Sequence, residues 1–356
     1  MSIMDKLKKN SKIKGAEVLE KSKFFGKKEP VPTDVPAINI ALSGDINGGL
    51  TPGVTIIAGP SKHFKTNFTL KMAAAYMEKY EDAVMLFYDS EFGSPQSYFS
   101  NFGIDMGRVL HCPIKNIEEL KFDIVPQLES LDKGDRVIVV IDSIGNLASI
   151  KEVEDALAAK SAADMTRAKQ LKGLFRIITP YLNMKDIPFI GIAHTYDTQE
   201  MYSKKVVSGG TGLYYSADDI WIIGRRQVKD KVEVTGYDFI INIEKSRFVR
   251  EQRKIPVSVS WENGVERHSG LFDIAMAGQF ITQTKVGWYA KVDRETGEVD
   301  EKSFRRAATD NMEFWEPFLA DEEFQSFVRS AYAVPDLGGE TLETTDVEIV
   351  SEDEIE

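Results

Sequence analysis

Four short stretches of this chain carry side chains that could act together on a phosphorylated ligand. The first is GPSKHFKT (Gly59, Pro60, Ser61, Lys62, His63, Phe64, Lys65, Thr66), which follows the apolar run Val54 to Ala58. Its spacing is that of G-x-x-x-x-G-K-[ST], in which backbone N–H groups cradle phosphates, the lysine reaches the terminal phosphates and the hydroxyl takes Mg²⁺. Phe64 stands where the second glycine belongs, the position that lets the backbone pass close to the phosphates. The other three lie after further apolar runs: Asp142 after Val137 to Ile141, Glu91 shortly after Val84 to Tyr88, and His194 after Pro188 to Ala193. A strand-end aspartate can hold Mg²⁺ opposite the loop threonine, and a glutamate on a neighbouring strand can orient a water. Taken singly, a strand-end acid is common and a lone histidine is more often structural. Four strand ends carrying Lys-Thr, Glu, Asp and His form a less accidental set.

The elements that must position them follow from hydrophobic periodicity. Apolar β-rich runs alternate with helical stretches at 67 to 80, 117 to 131 and 165 to 182, the pattern of a parallel sheet with helices on both faces. Ligands bind such sheets at the carboxyl ends of the strands, where these residues fall. Later strands at Asp219 to Gly224, Tyr237 to Ile243 and Ile255 to Trp261 lack long helices between them, as an antiparallel extension would. Four pieces result: a Lys-rich arm and linker (1–35), a core (36–268), a small α+β lobe (269–335) and an acidic tail (336–356). In the lobe, Phe314, Phe318, Phe324 and Phe327 recur at near-helical spacing and are expected mostly in its core.

Composition narrows the class. The 356 residues are 42% hydrophobic and 28% charged, enough for one large core with smaller satellites. No apolar run reaches the length of a membrane span, and the N-terminus lacks the apolar core of a signal peptide, so no membrane partner and a cytoplasmic location are expected. The single cysteine, Cys112, has no disulfide or metal-cluster companion and is expected as a buried small side chain. Of the net charge of −12, −9 lies in the tail, whereas residues 1–35 set nine lysines against five acids. Such a tail can mask a basic groove by competing for it, or serve only solubility.

Two stretches are candidates for nucleic-acid contact. Residues 195–212 lack strong periodicity and end in Gly209, Gly210 and Gly212. Tyr202, Lys204 and Lys205 interleave an aromatic ring with positive charge, which suits base stacking and phosphate neutralisation. The stretch 148–166 follows Asp142 and leads into Arg167, Lys169 and Lys172, which by themselves would suit a solvated helix face.

Together these motifs resemble the RecA family of strand-exchange recombinases, and its phage UvsX type most closely, over roughly residues 20–335. GPSKHFKT is similar to the family's ATP loop, with a residue in place of the second glycine as UvsX-type loops also have. YDSEFGSPQSY (88–98) resembles the segment bearing the catalytic glutamate, here Glu91, and the adenine-stacking aromatic, here Tyr98. VVIDSIGNL (139–147) is similar to the Mg²⁺ strand, and GIAHTY (191–196) to the γ-phosphate sensor, with His194 where RecA has glutamine. The stretches 148–166 and 195–212 resemble the first and second DNA-binding loops. IEKSR (243–247) resembles the basic pair that reaches the neighbouring subunit's ATP, so Lys245 and Arg247 would act in trans, and KVGWYA (285–290) is similar to a segment of the C-terminal lobe. The resemblance implies a RecA-like α/β P-loop core with an antiparallel extension, an N-terminal docking arm anchored by Phe24 or Phe25, and a C-terminal lobe. It further implies ATP and Mg²⁺ as cofactors, and helical filaments on single-stranded DNA that pair it with homologous duplex. Activity in recombination, repair and recombination-dependent replication follows, with a single-stranded-DNA-binding protein and a mediator as partners. Two other classes share parts of this pattern: a ring helicase or clock-type ATPase, which predicts closed hexamers, and a DNA-coating protein whose site has decayed at Phe64.

Overall fold

The computed structural model describes residues 2–13, 15–22, 28–159, 166–197, 205–230, 233–262, 264–294 and 296–335. Phe24, Phe25, Tyr202, Lys204 and the acidic tail 336–356 lie outside the described residues, as do parts of both candidate DNA loops. The chain opens with helix α1 (Ile3–Asn10), capped by Ser2 and Asp5, and enters the core through α2 (Pro36–Ser43). Strand β1 (Gly53–Ala58) leads into α3 (Lys65–Lys79), β2 (Val84–Asp89) into α4 (Gln96–Asn101), and β3 (Val109–Pro113) into α5 (Ile117–Ser130). Then come β4 (Val137–Asp142), α6 (Ile150–Leu157), α7 (Thr166–Lys185) and β5 (Pro188–Ala193). A short hairpin, β6 (Thr195–Asp197) with β7 (Lys205–Val207), precedes α8 (Gly210–Ser216). Two long strands follow, β8 (Asp219–Asp230) and β9 (Glu233–Ser246), with β10 (Lys254–Ser260) and β11 (Gly264–Val265). The chain continues through α9 (Leu271–Ala277), the hairpin β12 (Ile281–Lys285) and β13 (Trp288–Lys291), α10 (Met312–Ala320) and α11 (Glu322–Tyr332).

Nine strands form one sheet in the order β11-β10-β9-β8-β1-β5-β4-β2-β3. From β8 to β3 the pairings are parallel; β8, β9, β10 and β11 pair antiparallel. The inner parallel strands are buried on both faces, which is why they read as unbroken apolar runs. Side chains alternate between two cores: Ile57, Phe87, Val140, Ile190 and Trp221 on one face, Ile56, Tyr88, Ile141, Phe189 and Ile220 on the other. Each such fully buried side chain contributes roughly 1.5–3 kcal/mol.

The C-terminal aromatics join the first of these cores. Trp315, Phe318 and Phe324 are buried, and Phe314 and Phe327 pack against them. One expectation needs correction. Cys112 is half-buried and lies within β3, an edge strand whose mixed burial leaves no apolar run in its sequence. The 195–212 stretch contains a paired hairpin stem, and 148–166 contains a helix whose start is fixed by the Ser149–Glu152 capping box. No described helix is long and apolar enough to cross a membrane.

Candidate functional site

The phosphate loop bridges β1 and α3, so its lysine and threonine open the helix and its first free N–H groups face any anion in the loop. The helix starts at Lys65, two residues earlier than its periodicity suggests, because Phe64 turns the chain. Phe64 adopts φ 62° and ψ 15°, the left-handed conformation that glycine would supply without strain. For a residue with a side chain this costs about 1–2 kcal/mol. Its ring stacks on Phe239 of β9 (centroids 4.8 Å apart, planes at 20°) and meets the edge of Phe68 at 5.5 Å. Aromatic pairs of this kind contribute about 0.5–1.5 kcal/mol beyond burial, enough to offset the strain. The loop therefore keeps a glycine-like path with phenylalanine at that position. Arg225 secures it further, donating to the Lys62 carbonyl at 3.2 Å, while His63 Nδ1 lies 2.9 Å from the Ser61 carbonyl oxygen.

Lys65 is buried and donates to the Pro60 carbonyl at 2.9 Å; burial lowers its pKa, opposed by the carboxylates of Glu91 and Asp142. The Thr66 hydroxyl donates to Asp142 Oδ2 at 2.8 Å. Burial raises the pKa of Asp142 to about 6, against the lowering effect of the Thr66 hydrogen bond, with Glu91 and Asp89 adding repulsion. Oδ1 of Asp142 is buried with no hydrogen-bond partner. A buried acceptor without a donor is costly, and a divalent cation beside it would satisfy the oxygen and hold the carboxylate ionised. Among the described residues no group of three or more His, Cys, Asp or Glu forms a metal cluster. The donor set fits a hard cation shared with a phosphate and held by Thr66 and Asp142.

Glu91 completes the arrangement. Its Oε1 accepts from the Ser143 hydroxyl at 2.6 Å and from His194 Nε2 at 2.9 Å. The backbone of Glu91 and Phe92 donates to Asp89 Oδ1 at 3.0 and 2.8 Å, and the other oxygen of Asp89 lies 3.3 Å from His111 Nε2. Ser143 is itself fixed by Ser90, whose hydroxyl accepts from its N–H (3.0 Å) and donates to its carbonyl (2.8 Å). Sequence reasoning missed Ser143 and Asp89 as positioning groups, although both stand beside strand-end residues that it did single out. His194 also grips the hairpin stem: its N–H donates to Ser208 Oγ (3.2 Å) and its carbonyl accepts the Ser208 N–H (2.8 Å). A continuous set of contacts thus runs from Glu91 through His194 to the β6–β7 hairpin.

A family model described as the RecA N-terminal domain matches residues 5–266. The chain belongs to the RecA family. A second model, the C-terminal domain of the bacteriophage T4 recombination and repair protein, matches residues 268–328. The recombination and repair protein of Enterobacteria phage T4 is 49% identical over 334 residues, covering 93% of this chain and 85% of that protein. This places the recombinase with the UvsX type. Protein RecA of Leptospira biflexa is 23% identical over 90% of the chain and 82% of its own length, and that of Paracoccus denitrificans 24% over 76% and 74%.

The remaining candidate residues of the recombinase fall in distinct places. Tyr98 is 40% exposed on α4, beyond the Glu91 turn. Lys205 is exposed on the hairpin stem, and Lys169 on α7. Gly209 and Gly210 have φ values of 129° and 72°, which a side chain would resist, and they turn the hairpin into α8. Arg167 is half-buried at the start of α7, and its guanidinium donates to the carbonyls of Leu147, Ile144 and Gly145 at 2.8, 3.1 and 2.9 Å. Those donors fasten the turn after β4 to α7.

Lys245 and Arg247 lie elsewhere. They end β9 at the amino edge of the parallel strands, across the sheet from the phosphate loop. Lys245 donates to the Tyr214 carbonyl at 2.7 Å and lies 5.3 Å from that ring's centroid, and Arg247 pairs with Asp218 at 2.9 Å. Nearby Asp219 has its pKa raised to about 7 by burial, opposed by a hydrogen bond from Ser246.

Proposed function

We propose that the recombinase binds ATP with Mg²⁺ between adjacent subunits of a helical filament on single-stranded DNA, and couples DNA-dependent hydrolysis to homologous pairing and strand exchange. RecA-family recombinases generally are DNA-dependent, Mg²⁺-requiring ATPases that act on DNA as oligomeric filaments. The observation that carries the proposal is the unbroken contact from the phosphate loop through Asp142 and Glu91 to His194 and the hairpin stem.

When bound, Mg²⁺-ATP supplies the γ-phosphoryl group and the charge that the loop is shaped to neutralise. Lys65 would bind the terminal phosphates, exchanging the Pro60 carbonyl for a phosphate oxygen, with Thr66 and the unpartnered oxygen of Asp142 holding the metal. Glu91 would orient the attacking water and take its proton, while Ser143 and His194 fix the carboxylate. His194 would give up its bond to Glu91 for a phosphate oxygen and, through Ser208, set the hairpin around DNA. Tyr98 would stack on the adenine. Lys205, Lys169 and the Gly209–Gly210 turn would serve the DNA groove, with Tyr202 and Lys204 beyond the described residues. Lys245 and Arg247 stand at the opposite edge of the sheet from their own loop and would reach the neighbour's nucleotide. The four-piece division at residues 35, 268 and 335 is the organisation we infer for docking arm, ATPase core, lobe and tail.

Electron microscopy of the protein on single-stranded DNA with a non-hydrolysable ATP analogue, beside ATPase assays with and without DNA, tests this reading. Helical filaments and DNA-stimulated hydrolysis are expected. Closed rings, or hydrolysis indifferent to DNA, would overturn it.

A further inference from the structure

The amino edge of the sheet contains a built contact that the nucleotide site of its own subunit leaves unused. Asp218 stands just before β8 and is buried. Its Oδ2 accepts the Val54 N–H at 2.8 Å, and its own N–H donates to the Val54 carbonyl at 2.8 Å. Its Oδ1 pairs with Arg247 Nε at 2.9 Å, and its carbonyl accepts the Arg247 N–H at 3.1 Å. One residue thus fastens both the side chain and the main chain of Arg247 to the start of β1. Gly53 makes room for this: at φ +130°, a Cβ there would lie 2.3 Å from Asp218 Oδ2. The side chain of Arg247 is 63% exposed while that of Asp218 is 11% exposed. The carboxylate meets the guanidinium at Nε, and the two terminal nitrogens carry four of its five donors.

We propose that Asp218 is the positioning residue for Arg247, aiming its terminal nitrogens at the nucleotide of the adjacent subunit. The proposal rests on the in-trans reading of Arg247 above. An exposed arginine samples many rotamers, and ordering it during each encounter costs entropy. The buried carboxylate settles that choice beforehand, and β1 provides a rigid mount for it. Lysine at 247 would keep the charge but lose the planar fork that lets one side chain meet Asp218 and present paired donors at the same time.

Asp218→Asn keeps the volume and an oxygen for the Val54 N–H but turns an amide donor, or no charge, toward Nε. We expect it to lower DNA-stimulated kcat by about tenfold or more, with KM for ATP changed less than about twofold, because misplacement of a catalytic group acts on turnover. The double variant Asp218→Asn, Arg247→Ala should be no slower than Arg247→Ala alone. Wild-type kcat in Asp218→Asn, or independent multiplication of the two effects, would overturn the positioning role. Should Asp218→Asn fail to fold, Arg247→Lys leaves Asp218 untouched and is expected to lose turnover comparably; normal turnover in that variant would equally overturn the proposal. The underlying reading fails separately: mixed filaments of Arg247→Ala and Lys65→Ala subunits should regain hydrolysis if the arginine acts across the interface. No regain would sink the in-trans assignment itself.

Discussion

The two edges of the parallel sheet hold their charges in opposite ways. At the carboxyl edge, Lys65, Asp142 and Ser143 are buried beneath Glu91, hydrogen bonds join Thr66 to Asp142 and Ser143 to Glu91, and one buried oxygen of Asp142 is left unpaired. At the amino edge, the half-buried Lys245 rests on the Tyr214 carbonyl and the exposed Arg247 on the buried Asp218. The first edge is an electrostatically incomplete pocket, in which desolvated groups gain most when a ligand of matching charge arrives. The second is a pair of cations braced from behind, Lys245 by the Tyr214 carbonyl and Arg247 by Asp218. An incomplete pocket on one side and braced cations on the other are complementary halves, and the same chain supplies both.

Lys65→Ala gives the largest expected effect: ATP binding and hydrolysis are lost, and strand exchange with them, as read by nucleotide-binding and product assays. Strand exchange at the wild-type rate would break the comparison at its carboxyl side. Lys245→Ala probes the other edge. We expect DNA-stimulated turnover to fall on the order of 10²-fold, as for removal of one charge-stabilising donor, while the melting temperature barely changes. Loss of ATP binding by an isolated subunit carrying that substitution would mean that both edges serve the same nucleotide.

Asp142→Asn should make the ligand-free protein more stable at neutral pH. The native pKa of about 6 exceeds the ordinary 3.8, so the folded state binds the extra proton between these values and the wild-type protein loses stability as pH rises through that window. The asparagine variant removes this loss, a gain on the order of 2–3 kcal/mol above pH 6, and flattens thermal melts recorded from pH 4 to 6.5. An unchanged pH profile would show that the burial of Asp142 is not felt as strain. The smallest effect concerns the loop itself. Phe64→Gly relieves the left-handed strain but forfeits the Phe239 stack, so stability should move by no more than about 1 kcal/mol, which denaturant titration can resolve. A loss of several kcal/mol would show that the aromatic contact outweighs the backbone cost.

Much of the carboxyl edge was legible because its chemistry sits at strand ends, and buried parallel strands announce themselves as apolar runs. Lys65, Thr66, Glu91, Asp142 and His194 were found in that way. Edge strand β3 was missed because its burial is mixed, and β8 and β9 extend past their apolar centres into polar, alternating segments. The contacts of Arg167 were not legible, since charge alone cannot tell a solvated arginine from one donating to three carbonyls of a preceding turn.

By itself the sequence determined the fold class, the loop, the strand-end residues and the family, since these depend on local spacing and on burial patterns written along the chain. Tertiary structure decided which partners those residues meet. That Phe239 lies under Phe64, that Ser143 and His194 share one carboxylate oxygen, and that Asp218 joins Val54 to Arg247 are matters of strand order and register. Contacts between residues far apart in sequence have no local signature, because packing and hydrogen bonding select them only after the sheet has assembled.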